Sequence, residues 1–235
     1  MIKKVVILAA GKGKRMGEIT KFLPKPLLEI NNRPFLYYMI KNLKKLGFDE
    51  IAIIAHYKKE KIEHFLKEHG IKATLIEQGE PLGTGHAVKA AKDFVNNENF
   101  LVLMGDDYYS DENINSVNKE DGFCYILGYK HEHPERFGVL IEEDCFLKKI
   151  VEKPQKFESD LVNPGLYKFT PEIFEALDKI KKSERGEYEI TDAITLLAEK
   201  RKVKIVKVDK GWLCLNRPED IQIMEEFLKK HRDII

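Results

Sequence analysis

Between Gly11 and Lys25 this chain carries five basic side chains (Lys12, Lys14, Arg15, Lys21, Lys25) and one acid, Glu18, although its formal net charge is only +1. The stretch follows a short apolar run, Val5-Val6-Ile7-Leu8-Ala9-Ala10, and contains Gly11, Gly13 and Gly17. Small residues at the carboxyl end of a strand let backbone N–H groups approach an anion, and Lys and Arg then neutralise it. That chemistry suits a polyphosphate, and hence a nucleotide. Spacing excludes two common forms of nucleotide loop. Gly11-x-Gly13-x-x-x-Gly17 is one residue longer than the dinucleotide fingerprint G-x-G-x-x-G. Pro24 and Pro26 forbid a helix through that stretch, and the second strand ends Ala55-His56-Tyr57 without the acid that would hold a ribose. The phosphate-loop pattern G-x-x-x-x-G-K-[ST] is absent.

Further segments carry groups suited to the rest of such a ligand. In Gln78-Gly79-Glu80-Pro81-Leu82-Gly83-Thr84-Gly85-His86-Ala87 the glycines allow close backbone approach, and the Gln78 amide offers both a donor and an acceptor to a base edge. A helix cap at Thr84 would explain Thr84 but not Gln78. Gly105-Asp106-Asp107 ends a strand, where a carboxylate can bind Mg²⁺ beside phosphates or simply form a turn. Phe137-Gly138-Val139 supplies a small residue, and Glu152-Lys153-Pro154 pairs an acceptor with a cation, suited to a sugar hydroxyl and a phosphate. Asn163-Pro164-Gly165-Leu166-Tyr167 and Asn216-Arg217-Pro218-Glu219-Asp220 complete the set. Each alone reads more often as a turn or a cap than as a site.

The elements that must position these groups alternate in the first half. Strand-like runs occur at 3–9, Glu50 to Ala55, Lys72 to Glu77 and Asn99 to Met104. Helical patterns lie between them at Pro34 to Leu46, Lys59 to His69 and Gly85 to Val95. Alternation of this kind predicts an α/β fold, a Rossmann-like mixed but mostly parallel sheet with helices on both faces. Ligands in such sheets sit at the carboxyl ends of the strands, where the glycine turn, Gln78 and Asp106 all fall. After Asp111 the runs Gly122 to Tyr129, Phe137 to Glu142, Phe146 to Glu152 and Asn163 to Phe169 read as antiparallel strands. Helices follow at Pro171 to Ile180, Ile190 to Lys200 and Pro218 to Lys230. No repeat or low-complexity linker divides the chain. The expectation is one domain over 1–235, with a nucleotide half to about residue 110 and a second half laid against it.

Composition narrows the partners. The near-neutral charge gives no reason to expect nucleic acid or a membrane, and no apolar run approaches the ~18 residues of a span. No signal peptide is visible, so a cytoplasmic protein is expected. Cys124, Cys145 and Cys214 lie far apart with no C-x-x-C spacing, which suggests reduced thiols rather than a zinc site or a disulfide framework.

In order along the chain, L-A-A-G-K-G-x-R-M, P-K-P-L-L, Q-x-x-x-L-G-T-G-H-A, G-D, F-G-V, E-K-P, N-x-G-x-Y and N-R-P-E-D span residues 8 to 220. This ordered set resembles the sugar-1-phosphate nucleotidyltransferases, with their GT-A-like fold. The stretch Gln78 to Ala87 is most similar to uridylyltransferases, in particular the pyrophosphorylase domains that make UDP-N-acetylglucosamine. The resemblance implies that Leu8, Ala9, Ala10, Gly11 and Gly13 hold the nucleotide, with Gln78, Gly83 and Thr84 reading the base. It implies that Arg15 and Lys25 clamp the triphosphate and that Asp106 binds Mg²⁺. Gly138, Glu152 and Asn163 would hold the sugar, and Lys153 its phosphate. The implied substrates are UTP or dTTP and a hexose or N-acetylhexosamine 1-phosphate. The chain ends one helix after the last motif, so the acetyl transfer of bifunctional family members is not expected.

The family's usual metal-binding Asp, two residues before the Gly or Asn of the last motif, is here Cys214, a poor ligand for Mg²⁺. The uridylyltransferases this chain resembles instead use an Asn at the position matched by Asn216, so the resemblance implies Asn216, through its amide oxygen, as the second ligand, with Asp107 the fallback. Two other functions remain open: a cytidylyltransferase for phosphocholine or another phosphorylated alcohol, and a non-catalytic regulator. His131-Glu132-His133 reads as a solvated turn, Trp212 as core, and Glu187-Tyr188-Glu189 as a helix cap or a segment near the sugar. His86 is balanced between packing and ligand contact. A final helix with Ile221, Met224, Phe227 and Leu228 on one face leaves a homo-oligomer open.

Overall fold

The computed structural model describes residues 2–230, so the two ends of the 1–235 span lie outside the described residues. The first half opens on β1 (Lys4–Leu8), followed by a small hairpin of β2 (Glu29–Ile30) and β3 (Arg33–Pro34) that leads into α1 (Phe35–Lys45). Then come β4 (Glu50–Ala55), α2 (Lys59–Glu68), β5 (Thr74–Glu77), α3 (Thr84–Ala90), α4 (Lys92–Val95) and β6 (Phe100–Met104). The second half contains β7 (Asp107–Tyr109), α5 (Asp111–Val117), β8 (Cys124–Lys130), β9 (Gly138–Glu143), β10 (Phe146–Glu152), β11 (Leu161–Val162) and β12 (Leu166–Phe169). It ends with α6 (Glu172–Leu177), α7 (Ile190–Ala198), β13 (Val203–Val208), β14 (Trp212–Cys214) and α8 (Glu219–Lys230). Helix α5 and strand β13 were not evident from periodicity. Ser110 caps α5 by accepting from the Asn113 N–H, and β13 sends Val203 and Ile205 to one face and Val206 and Val208 to the other.

One ten-stranded sheet runs through both halves in the order β11-β9-β10-β13-β8-β12-β6-β1-β4-β5. Every residue of β1 is buried, because its alternate side chains enter two separate cores. Val5 and Ile7 pack with Phe35, Leu43 and Ile62 of α1 and α2 and with Met224 and Leu228 of α8. Val6 and Leu8 pack on the other face with Val88, Phe174, Ile194 and Leu197 of α3, α6 and α7. Helices on both faces are thus as the sequence pattern requires.

The expectation of a mostly parallel sheet is corrected. Parallel pairing is confined to β5–β4–β1–β6 and to β13–β8; the remaining pairings in the sheet are antiparallel. The cause is short connections. Asp144 and Cys145, at φ 52° and 67°, join β9 to β10 in two residues, which permits only a hairpin. Because β11 pairs with both β9 and β8, the far end of the sheet is partly closed. The halves are joined by β12 against β6, with Leu166 opposite Leu103 and Phe169 opposite Phe100. Among the described residues no helix is long and apolar enough to cross a membrane.

Candidate active site

The glycine turn leaves β1 at Leu8 and passes over the ends of β4 and β6, where the Ala9 N–H meets Ile54 O (2.8 Å) and the Gly105 N–H meets Leu8 O (2.9 Å). A side chain at Gly105 would collide with that Leu8 carbonyl, its Cβ lying 2.8 Å away. Gly13 sits at φ 62°, and Thr20 Oγ1 donates to its carbonyl (2.9 Å), which curls residues Lys14–Thr20 into a 3-10 turn instead of an α-helix. A second 3-10 turn, Lys25–Leu27, is set by Pro26 and buries Lys25. The prolines do exclude the α-helix, as expected.

Lys25 Nζ donates to Asp106 Oδ2 (2.5 Å) and to Asn216 Oδ1 (3.2 Å), drawing three distant segments to one point. Asp106 lies just before β7, and Asn216 just after β14. The two short strands form their own ladder with Cys214 opposite Asp107, and the Leu215 N–H donates to Asp106 O (2.9 Å). Asp220 fixes the Asn216 turn by accepting from the backbone N–H of Asn216 (2.6 Å) and Arg217 (2.7 Å). A cavity of about 230 Å³ opens here, lined by Gly11, Gly13, Arg15, Lys25, Asp106 and Asn216 among others.

Asp107 is not available as the fallback ligand. It is buried, and its Oδ2 accepts from the Trp212 indole N–H (3.2 Å). Burial, and then the neighbouring charge of Asp106, hold its carboxyl well above the usual range. The Cys214 thiol is pushed up to about 11 by burial and by Asp107, so it carries a proton at neutral pH and offers no thiolate. Trp212 is core, as read, packed against Tyr129 and Phe137; its hydrogen bond to Asp107 was not foreseen.

On the other side of the glycine turn lies a larger cavity of about 510 Å³, lined by Ala10, Gln78, Gly83, Thr84 and by two residues the sequence did not single out for it, Lys12 and Glu187. Both cavities share Leu8, Gly11, Gly13 and Met104, so one elongated molecule lying across the turn reaches both. Gln78 Nε2 donates to Gly83 O (3.0 Å) and lies 3.3 Å from His86 Nδ1. Residues 187–190 clamp this loop: the Tyr188 N–H donates to Leu82 O (2.7 Å) and the Gly85 N–H to Tyr188 O (2.8 Å). The Thr84 hydroxyl accepts from the Ile190 N–H (3.1 Å), so it caps α7 rather than its own helix. Glu187 borders this cavity.

Gly138, Glu152 and Asn163 do come together. Gly138 pairs with Glu152 across β9 and β10, and the Asn163 N–H donates to Gly138 O (2.8 Å). A Cβ at Gly138 would lie 3.0 Å from Glu152 Oε2, the free end of an exposed side chain that need give only slightly. The Asn163 amide is held at both ends, donating to Tyr167 Oη (2.9 Å) and accepting from the Gly165 N–H (3.0 Å). Lys153 follows, exposed, at φ 44°. These residues line neither cavity; Met104, packed against Gly165, connects them to both. His131 is not a free turn residue: its ring lies against Phe137 (4.7 Å between centroids), and burial, then His133, lowers its pKa. It borders a separate cavity of about 500 Å³ beside Phe157 that contains no group of the site.

A glycine turn at the switch of a mixed sheet, with an amide at one end and a lysine between two oxygen ligands at the other, defines a nucleotide-handling α/β protein. The chain belongs to the nucleotidyl transferase family, whose model matches residues 4–230. It is 40% identical over 225 residues to the bifunctional protein GlmU of Methanocaldococcus jannaschii, covering 95% of this chain and 53% of that protein. It is 33% identical to the UTP–glucose-1-phosphate uridylyltransferase AglF of Haloferax volcanii, covering 97% of each. The chain thus spans about half the length of the bifunctional relatives and nearly all of the second. Among solved structures, a UDP-glucose pyrophosphorylase complexed with UDP-glucose superposes with a TM-score of 0.85 at 26% identity, covering 99% of this chain and 100% of that one.

Proposed function

We propose that this protein transfers a nucleotidyl group from UTP or dTTP to a sugar 1-phosphate, releasing pyrophosphate. The observation that carries the reading is the pair of cavities joined over the glycine turn, one ending at Gln78 and the other at Lys25, Asp106 and Asn216. The base enters the larger cavity against Gln78 and Gly83, with Leu8, Ala9, Ala10 and Gly11 along the base and ribose. The triphosphate crosses Gly11 and Gly13 to Arg15 and Lys25. The sugar rests on Gly138, Glu152 and Asn163, with Lys153 at its phosphate. A phosphate oxygen of the sugar attacks the α-phosphorus in line; the new P–O bond forms as the bond to pyrophosphate breaks. No protein nucleophile is needed, because holding two polyanions in line and neutralising developing charge supply the rate.

The residues present fit Mg²⁺. Asp106 and Asn216 offer hard oxygens that already converge on one cation, Lys25 Nζ. Among the described residues no three His, Cys, Asp or Glu side chains gather to hold an ion, which suits a metal bound by few protein ligands and by substrate phosphates. When bound, Mg²⁺ neutralises charge on the reacting phosphates. The relative named for UTP and glucose 1-phosphate, aligned over 97% of each chain, supports that substrate pair. Pyrophosphate release, measured over five nucleoside triphosphates and several acceptors, tests the reading. Turnover with UTP or dTTP and a hexose 1-phosphate is expected. Turnover only with CTP and phosphocholine would overturn the substrate assignment, and silence from folded, nucleotide-binding protein would leave a regulator.

A further inference from the structure

The turn Asn163-Pro164-Gly165 is held from two sides. The Asn163 N–H donates to Gly138 O (2.8 Å), which ties the turn to β9. The Tyr109 hydroxyl donates to Pro164 O (2.8 Å), which ties it to β7. The direction of that second bond is fixed, because a carbonyl oxygen only accepts. Asp107 Oδ2 is the other acceptor near the hydroxyl, but at 3.5 Å it lies beyond an ordinary O–H···O bond, and it already takes the Trp212 indole N–H. Tyr109 is only 2% exposed and stands opposite Trp212 in the β7–β14 ladder, which sets Asp106 beside Asn216. Gly165, at φ 83°, is pressed on Met104: a Cβ there would overlap Met104 Cγ and lie 3.5 Å from Tyr109 Oη. The same turn orients the Asn163 amide. Its Oδ1 accepts from the Gly165 N–H (3.0 Å), a backbone donor that cannot be reversed, so Nδ2 spends one proton on Tyr167 Oη (2.9 Å) and keeps another.

We propose that Tyr109 is a positioning residue for the sugar 1-phosphate: its hydroxyl holds Pro164 O and, through the turn, keeps the Gly165 N–H on Asn163 and the Asn163 amide facing the sugar. Without the hydroxyl, Pro164 O is a buried acceptor that has lost its donor, and the turn has to lift to bring it to water. Lifting carries the Gly165 N–H away from Asn163 Oδ1 and frees the amide to rotate. Because β7 begins one residue after Asp106, the same side chain also sets the spacing between the sugar and the phosphate end. Gln78, Gly83 and Thr84 are held by one another and by residues 187–190, so the effect falls on the sugar and spares the nucleotide. The inference rests on the reading that Gly138, Glu152 and Asn163 hold the sugar.

The test is steady-state kinetics with UTP and glucose 1-phosphate, each varied against a saturating level of the other, beside UTP titration without sugar. It compares the parent with Tyr109→Phe and Glu152→Ala. Phenylalanine keeps the buried ring and removes only the hydroxyl. Tyr109→Phe is expected to raise KM for glucose 1-phosphate about tenfold, the worth of roughly one hydrogen bond, with KM and Kd for UTP within about twofold. Glu152→Ala removes a sugar ligand itself and should raise the same KM. If Tyr109→Phe moves both KM values together, or moves neither, the hydroxyl serves only the fold and the proposal fails. If Glu152→Ala leaves KM for glucose 1-phosphate unchanged, the sugar-site reading itself fails and takes the proposal with it. A folded parent silent with this substrate pair overturns both. Should phenylalanine prevent folding, Tyr109→Leu removes the same hydroxyl with a smaller side chain, and the same split between the two KM values is expected.

Discussion

The two ends of the candidate site are built in opposite ways. At the Gln78 end, the amide reaches partners five and eight residues away, and the strap of residues 187–190 closes over a turn that is already local. At the phosphate end, Lys25 reaches Asp106 and Asn216 across 81 and 191 residues, so nothing is in place until both halves have folded. Long-range construction makes the phosphate pocket depend on the register of β7 against β14.

Breaking that contrast should be most visible at Lys25. Lys25→Ala is expected to lower turnover by about 10²–10³, or roughly 2.7–4 kcal/mol, if its charge acts on the transition state as an oxyanion donor does. Asp106 keeps a side-chain exposure of 26%, so its carboxylate can rehydrate, and the thermal midpoint should move far less than the rate. A normal turnover number would remove Lys25 from the chemistry.

Next comes Gly83→Ala, because the added Cβ would lie 2.6 Å from Tyr188 O at a φ of 106°. The clamp has to open, at a cost of about 1–3 kcal/mol in stability, with a raised KM for the nucleotide. Denaturant midpoints and nucleotide titration would show both; an unchanged KM would separate the clamp from the base pocket. Thr84→Val removes one cap of α7 and should destabilise by about 0.5–2 kcal/mol, read as a fall in thermal midpoint. Cys214→Ser should matter least, with turnover and Mg²⁺ requirement within about threefold of the parent. A larger shift would return the sulfur to the metal site.

What was legible in the sequence follows the same division. The continuous apolar runs at Val5–Leu8 and Ile51–Ala55 announced strands covered on both faces, and the glycines of Gln78 to Ala87 announced a turn leading into a helix. The coming together of Gly138, Glu152 and Asn163 followed from motif order. By contrast, Asp106 and Asp107 are chemically equal in sequence. Only the start of β7 separates them, turning one into the cavity and the next inward to Trp212. The antiparallel runs of the second half were legible, including the pair joined at Asp144–Cys145; what was not is that they extend the same sheet as β1, which leaves parallel pairs in the minority. Glu187 lies in a polar loop with no periodicity, so nothing in its spacing pointed to the base cavity.

The clamp of residues 187–190 over the base loop bears on how this scaffold could be re-engineered. Leu82, Thr84 and Gly85 each share a hydrogen bond with Tyr188 or Ile190, more than a hundred residues further along the chain. A loop transplanted from a relative with another base preference would arrive without its matching strap. A working chimera has to exchange both segments together, and recombination points belong outside the pair.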